Sequence, residues 1–169
     1  MDLTKIGAPF RGGGTPLIRT DFTSDPAWTV VVEQVTKPVD LEDPENSDPV
    51  DGYVPYIVVV DDAAFAGMSG TALAEAIAAA DAEGGYVVLA DARSMAEAAG
   101  GGELTVNYVD LSVPDPEDAE LFGAFRGRAF RCTVAEFARV EANFSISNLD
   151  FEDFADSVDP DGVFRGFTR

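Results

Sequence analysis

Runs of apolar residues alternate along the chain with polar segments, at lengths typical of strands and helices. Strand-length runs are predicted at 16–22, 53–60 and 86–91. The last two are apolar throughout, which is typical of strands buried on both faces of a parallel sheet. Helical spacing of apolar residues is found after each run, starting at Ala27, over 69–82 and over 94–99. This alternation of strands and helices predicts a parallel sheet with right-handed crossovers.

The second half of the chain has a different pattern. The runs 104–113 and 128–134 alternate apolar and polar residues, which favours two strands paired antiparallel at one edge of the sheet. Helices are predicted over 134–144 and 150–158, and the apolar tail at 162–167 is expected to dock on the domain. The predicted fold is α/β: a mostly parallel β-sheet with flanking helices and an antiparallel edge, in a single domain spanning 15–169.

Two segments fall outside this pattern. Residues 1–14 end in three consecutive glycines and predict a flexible leader. Residues 40–52 contain six acidic residues and two prolines, a composition that predicts a solvated acidic loop.

Charge and missing residue types narrow the function. The chain carries a net charge of −20, so it is repelled by nucleic acid and by anionic membranes, and a basic protein is the expected kind of partner. It has no histidine, which excludes Ser-His-Asp and Cys-His catalysis and histidine metal ligation. Cys132 is the single cysteine, so it forms neither an intramolecular disulfide nor a cysteine zinc site, and its apolar neighbours predict a core position.

The sequence also predicts a location. The N-terminal residues contain no apolar signal region, and no apolar run approaches the roughly 20 residues that a membrane span requires. A cytoplasmic protein is therefore expected. The oligomeric state is not set by the sequence.

Aspartates follow three of the predicted strands. If those strands are parallel, Asp21, Asp61, Asp62 and Asp91 gather at the carboxyl end of the sheet, where ligands commonly bind. Such carboxylates suit Mg²⁺, with Arg19 or Arg93 contacting the oxygens of a phosphate-containing substrate. The alternative is structural, because aspartate at this position caps the following helix.

Two further groups have alternative interpretations. The arginines Arg126, Arg128 and Arg131 suit either ion pairs with the protein's own carboxylates or recognition of a partner. Phe151 and Phe154 suit either the core or, if exposed, a partner-binding surface.

Several motifs carry a resemblance to a known family. They are PLIRTDF at 16–22, NFSISNLDFEDFAD at 143–156 and DGVFRGF at 161–167. In these stretches the chain resembles a small actinobacterial family of domains of unknown function. The resemblance implies a bacterial cytoplasmic α/β domain and transfers no catalytic residue.

Three hypotheses follow for the function. The first is a non-enzymatic, immunity-like or accessory protein-binding module that covers a basic surface and needs no cofactor. The second is a magnesium-dependent enzyme that uses the strand-end aspartates. The third is a DNA mimic, which requires acidic residues along one extended face.

Overall fold

The computed structural model describes residues 3–43, 51–80, 82 and 84–167. The described residues form six strands: β1 (Thr15–Arg19), β2 (Ile57–Val60), β3 (Tyr86–Ala90), β4 (Thr105–Asp110), β5 (Ala129–Thr133) and β6 (Val163–Phe164). They also form seven α-helices: α1 (Leu3–Gly7), α2 (Asp25–Thr36), α3 (Gly70–Ala79), α4 (Ala92–Gly100), α5 (Pro116–Phe122), α6 (Val134–Ser145) and α7 (Phe151–Ala155).

The strands make one sheet in the order β2-β1-β3-β4-β5-β6. Strand β1 pairs parallel with β2 and β3, and β5 pairs parallel with β6. Strand β4 runs antiparallel to both of its neighbours, β3 and β5. The predicted α/β class and the antiparallel pairing of the fourth and fifth strands are confirmed. The order of the first five strands is that of the flavodoxin-like doubly wound sheets, apart from the reversal of β4.

Helices cover both faces of this sheet because its strands place apolar side chains on each side. In β1, Leu17 belongs to the core under α2, α4, α6 and α7, and the next residue, Ile18, belongs to the core under α1 and α3. Strand β3 alternates in the same way, with Val88 on the first face and Val87 on the second. This alternation is the period of two expected of a strand.

Strand β2 differs from its prediction. It begins at Ile57 instead of 53, and residue 53 forms only an isolated antiparallel bridge with Val39. Its residues are not buried on both faces, since Val59 is 44% exposed. The physical reason is its place in the sheet. Among the described strands, β2 lies at the edge with β1 as its single neighbour, so an apolar run did not imply an interior position.

The segments outside the predicted pattern also have described structure. Residues 3–7, within the segment predicted to be a flexible leader, form α1. Ile6 in this helix is fully buried in the core beside α3. Helix α5 was not predicted, although Asp115 caps it and Pro116 opens it. Most of the acidic loop, 44–50, lies outside the described residues.

No helix within the described part of the chain is both long enough and apolar enough to cross a membrane.

Candidate functional site

The carboxyl ends of β1, β2 and β3 lie at the same end of the sheet, as the aspartate hypothesis requires. Each aspartate there has a partner within the protein. Asp62 accepts a hydrogen bond from the Ala64 amide at 2.8 Å, and Asp21 accepts one from the Thr23 amide at 2.9 Å. Asp91 caps α4 by accepting from the Ser94 amide at 3.1 Å. The helix-capping interpretation therefore describes Asp91, and Asp62 caps a 3-10 turn in the same way.

Asp91 also forms a bidentate ion pair with Arg131. The two guanidinium nitrogens lie 2.8 and 2.9 Å from the two carboxylate oxygens. Arg131 donates further bonds to the hydroxyls of Ser94 and Thr105, both at 3.0 Å. Burial acts to raise the pKa of Asp91, but the hydrogen bonds from Arg131 and Ser94 outweigh it and hold that pKa below its usual value. From the middle of β5, this arginine thus joins the residue that follows β3 to the first residue of β4.

Arg19 occupies the same end of the sheet. Its side chain is only 3% exposed, and it pairs with Asp25 at 2.7 Å and with Asp61 at 3.3 Å. Its guanidinium also lies 4.5 Å from the centre of the Phe22 ring. The second arginine considered for substrate binding, Arg93, is paired with Glu97 at 2.7 Å. Both arginines are held by carboxylates of the protein itself.

Among the described residues, no group of three or more Asp, Glu, Cys or His side chains is arranged to hold a metal ion.

The residues considered for partner binding do not form one surface. Arg126 donates to the Leu111 carbonyl at 2.9 Å, and Arg128 pairs with the carboxylate of Asp156. Phe151 and Phe154 are buried in the aromatic core with 9% and 1% exposure. The ion pairs of Arg128 and Arg131 and the burial of the two phenylalanines fit the structural alternatives. Arg126 instead bonds a backbone carbonyl and has no ion pair in the described part of the chain.

The amino end of the sheet carries a long depression, which we call the acidic groove. It has a volume of about 680 Å³ and runs between the segment containing α5 and the turn joining α6 to α7. Its apolar lining includes Val113, Phe122, Phe144, Leu149 and Phe151. Helix α5 has no buried residue, and Phe122 is 56% exposed, so part of this apolar lining faces solvent.

Among the described residues, six carboxylates and no basic side chain line the acidic groove. They belong to Asp110, Asp115, Asp118, Asp150, Glu152 and Asp153. None of the six forms an ion pair with another residue in the described part of the chain. Asp110 and Asp115 accept hydrogen bonds from nearby amides, which fixes their orientation without neutralising their charge. The groove therefore joins uncompensated negative charge to exposed apolar surface.

A second concavity adjoins the groove, and we call it the tyrosine cavity. It has a volume of about 360 Å³ and is lined by Gly14, Thr15, Tyr53, Tyr56, Gly85, Tyr86, Glu141, Phe144 and Ser145. Gly85, Tyr86 and Phe144 line both concavities. The two sites therefore form one continuous region at the amino end of the sheet.

Glu141 lies at the base of the tyrosine cavity and is only 4% exposed. Its carboxylate accepts hydrogen bonds from three hydroxyls, those of Thr15 at 2.6 Å, Tyr108 at 2.8 Å and Tyr86 at 3.1 Å. Burial raises the pKa of Glu141, and the three hydroxyl donors only partly oppose that effect. Burial and the charge of Glu141 in turn raise the pKa values of Tyr86 and Tyr108. A buried carboxylate with a perturbed pKa beside a cavity is a common mark of a functional site.

The sequence analysis missed this site, although the sequence contains a signal for it. Phe137, Glu141 and Phe144 are spaced so that they share one face of α6. An acidic residue on an apolar helix face indicates a buried carboxylate that needs hydrogen-bond partners. The tyrosines that supply them come from strands distant in the chain, so only the folded structure brings them together.

A third concavity, of about 540 Å³, lies between α2, α4 and α6. Its charged groups are paired inside the protein: Glu97 with Arg93, Glu136 with Arg139, and Glu103 with Arg165. It therefore offers less unpaired charge to a ligand than the amino end of the sheet does.

These features define a strongly acidic α/β domain whose carboxyl end is closed by ion pairs and whose amino end is open. Residues 14–167 match the family described as a domain of unknown function (DUF6924), and the chain belongs to that family. This confirms the resemblance to a family of unknown function that the motifs at 16–22, 143–156 and 161–167 indicated. No curated protein and no solved structure matches the chain.

Proposed function

We propose that this domain is a non-enzymatic protein-binding module, immunity-like or accessory in role, that binds a basic amphipathic segment of a partner protein in the acidic groove. The observation that carries the proposal is the lining of the groove, in which the described residues supply six carboxylates and exposed apolar side chains but no basic residue. The lone, buried Cys132 fits the cytoplasmic location expected from the sequence.

The apolar part of the groove supports a protein partner. Phe122 lines the groove, and the neighbouring Leu121 and Phe125 are 68% and 57% exposed. Exposed large apolar side chains beside a concavity are typical of partner-binding surfaces, where a few buried anchors contribute most of the affinity. Apolar side chains of the partner would cover these residues on binding.

The negative charge of the groove favours a positively charged partner. Lysine or arginine side chains beside Asp118 and Glu152 would meet carboxylates that no described residue neutralises. A net charge of −20 also attracts a basic partner over a longer range and raises its association rate, an effect that salt screens. A second copy of this chain carries the same charge, so repulsion opposes self-association through the groove.

The proposal is tested by fluorescence anisotropy with a labelled amphipathic peptide of alternating lysine and leucine. Two control peptides carry glutamate in place of lysine or serine in place of leucine. Only the lysine–leucine peptide is expected to bind tightly, and its affinity should fall as the salt concentration rises. Equal binding of the serine peptide would show that the apolar lining has no role and would overturn the proposal.

Three variants test whether the peptide binds in the acidic groove. Phe122→Ala is expected to weaken peptide binding by about fivefold or more, as for an anchor contributing above 1 kcal/mol. Asp118→Asn should weaken it by roughly two- to fivefold, as expected for an exposed charge pair. Glu75→Gln is the matched control, since it removes one exposed charge from α3 on the opposite face of the sheet. If all three variants bind alike, the peptide does not occupy the groove.

A further inference from the structure

The tyrosine cavity has features that the binding of a peptide to the groove does not use. Its base is a carboxylate, Glu141, for which the described residues supply three hydroxyl donors but no cation. Its walls are aromatic, with the rings of Tyr86 and Phe144 4.5 Å apart between centres. Tyr53 and Tyr56 are two further aromatic residues of the lining.

We propose that the tyrosine cavity binds an alkylammonium group, with the positive charge facing the Glu141 carboxylate and the carbon atoms lying against the surrounding aromatic rings. The proposal concerns a second site, adjacent to the acidic groove, and it stands on the geometry of the cavity alone.

The hydrogen bonding of Glu141 leaves room for such a group. Thr15 and Tyr86 both donate to Oε2, whereas Tyr108 alone donates to Oε1. A carboxylate has about four acceptor positions, and three hydroxyls fill three of them, so one remains. An ammonium group is a compact donor that would fill this position and supply the missing counter-charge.

The aromatic lining selects an organic cation over a metal ion. Tyrosine and phenylalanine rings attract cations at their faces and are the usual walls of sites for substituted ammonium groups. Mg²⁺ and Ca²⁺ instead require several oxygen ligands, commonly from more than one carboxylate. Glu141 is the one carboxylate that the described residues contribute to the lining of the tyrosine cavity, which makes this a poor site for a divalent cation.

The cavity wall at Gly14 is shaped by the absence of a side chain. Gly14 has a φ of +95°, and a Cβ atom there would lie 2.9 Å from the Tyr56 carbonyl oxygen and 3.0 Å from its ring. Any other residue would displace Tyr56, whose side chain stands at the rim with the residue 71% exposed. Glycine at this position therefore keeps Tyr56 in place as part of the wall.

An alkylammonium group has two possible sources, a free amine or a lysine side chain of a protein docked in the acidic groove. A lysine of a docked protein would have only a short distance to span, because Gly85, Tyr86 and Phe144 line both concavities. Both sources present the same chemistry to Glu141, and the experiment distinguishes them.

The experiment uses the full chain with isotopically labelled tyrosine and follows the ring resonances by NMR. The probes are n-butylammonium chloride and, as a neutral control of similar size, n-butanol. Butylammonium is expected to cause saturable shifts of the Tyr53 and Tyr86 resonances, and butanol is expected to cause none. Absence of saturable shifts with butylammonium, or equal shifts with both probes, would overturn the proposal.

Three variants assign the binding to individual groups. Glu141→Gln should weaken butylammonium binding by roughly 30-fold or more, as for loss of one partner in a buried charge pair. Tyr56→Leu alters an exposed ring, so the fold should persist even if Glu141→Gln fails to fold, and it should weaken binding by about two- to tenfold. Glu75→Gln, an exposed position on α3 outside both concavities, is the control and should leave butylammonium binding unchanged. Unaltered binding by Tyr56→Leu would contradict the proposed aromatic contact.

Competition identifies the source of the ammonium group. If the lysine–leucine peptide displaces butylammonium, the cavity receives a lysine of the docked segment. If the two bind together, the cavity takes a free amine. Peptide binding to the groove is measured separately by anisotropy, so failure of the amine site leaves that result intact.

Discussion

The ion pair between Asp91 and Arg131 should be a major source of stability at the carboxyl end of the sheet. Two substitutions separate its contributions. Asp91→Asn keeps a side-chain oxygen that can cap α4 but removes the charge that faces the Arg131 guanidinium. Asp91→Ala removes both, and leaves an arginine whose side chain is only 14% exposed without its counter-charge.

The magnitude follows from these contacts. Loss of the cap on α4 costs about 1 kcal/mol. Loss of the charge-assisted bidentate bonds costs roughly 1.5–3 kcal/mol, below the value for a fully buried pair because Asp91 is 29% exposed. We therefore expect Asp91→Ala to lower the free energy of unfolding by roughly 2.5–4 kcal/mol, and Asp91→Asn to lower it by about 1 kcal/mol less.

Urea unfolding followed by circular dichroism measures these differences at neutral pH. The pKa of Asp91 is lowered in the folded protein, so the unfolded chain takes up the proton first as the pH falls. The stabilisation is therefore complete above the unfolded pKa of about 4 and disappears as the pH drops through the folded value. The difference in the free energy of unfolding between the wild type and Asp91→Asn should therefore fall towards zero over that pH interval. A cost below about 1 kcal/mol for Asp91→Ala, or a gap independent of pH, would refute this account of the pair.

Three other predictions concern stability and reactivity. Gly14→Ala should lower the free energy of unfolding by about 1–3 kcal/mol, because the added Cβ would contact Tyr56 and the backbone at this position is strained for any other residue. Gly101 has a φ of +68° but open space around it, so Gly101→Ala should cost only about 1 kcal/mol in the same urea assay. Phe154→Ala should cost about 3–5 kcal/mol, since the ring is 1% exposed, and a loss under 1 kcal/mol would contradict its core position. Burial raises the pKa of the Cys132 thiol well above its usual value, so iodoacetamide should label it only in denaturant, and rapid labelling of the folded protein would show that the thiol is accessible.

Local patterns were sufficient to predict most of the sheet and the helices packed on it. The apolar run at 86–91 and the helical spacing at 69–82 depend on neighbours a few residues away, and both elements formed close to the predicted positions. The parallel arrangement of the first three strands also follows from the alternation of strands and helices.

The structure differs from the sequence predictions where packing between distant parts of the chain determines the position of an element. Whether an apolar strand lies inside or at the edge of a sheet depends on its neighbours, and β2 was placed at the edge. Residues 3–7 have too few apolar positions to predict a helix, yet they form one, and Ile6 is buried in the core. The tyrosine cavity joins Thr15, Tyr86 and Glu141, which are far apart in the chain, so no local pattern could predict their contact.

The reversal of β4 has a consequence for the connection that forms one side of the acidic groove. Because β4 runs backwards, the connection 111–128 leaves the sheet beside the strand beginnings, away from the ion pairs of Arg19 and Arg131. Within this connection, Leu111 and Ala124 are buried, whereas residues 112–123 are exposed or half-buried. The length and sequence of 112–123 could therefore change without disturbing the ion-paired end of the sheet. If the domain binds a partner through the acidic groove, as proposed, grafting alternative 112–123 segments onto the scaffold should alter partner specificity.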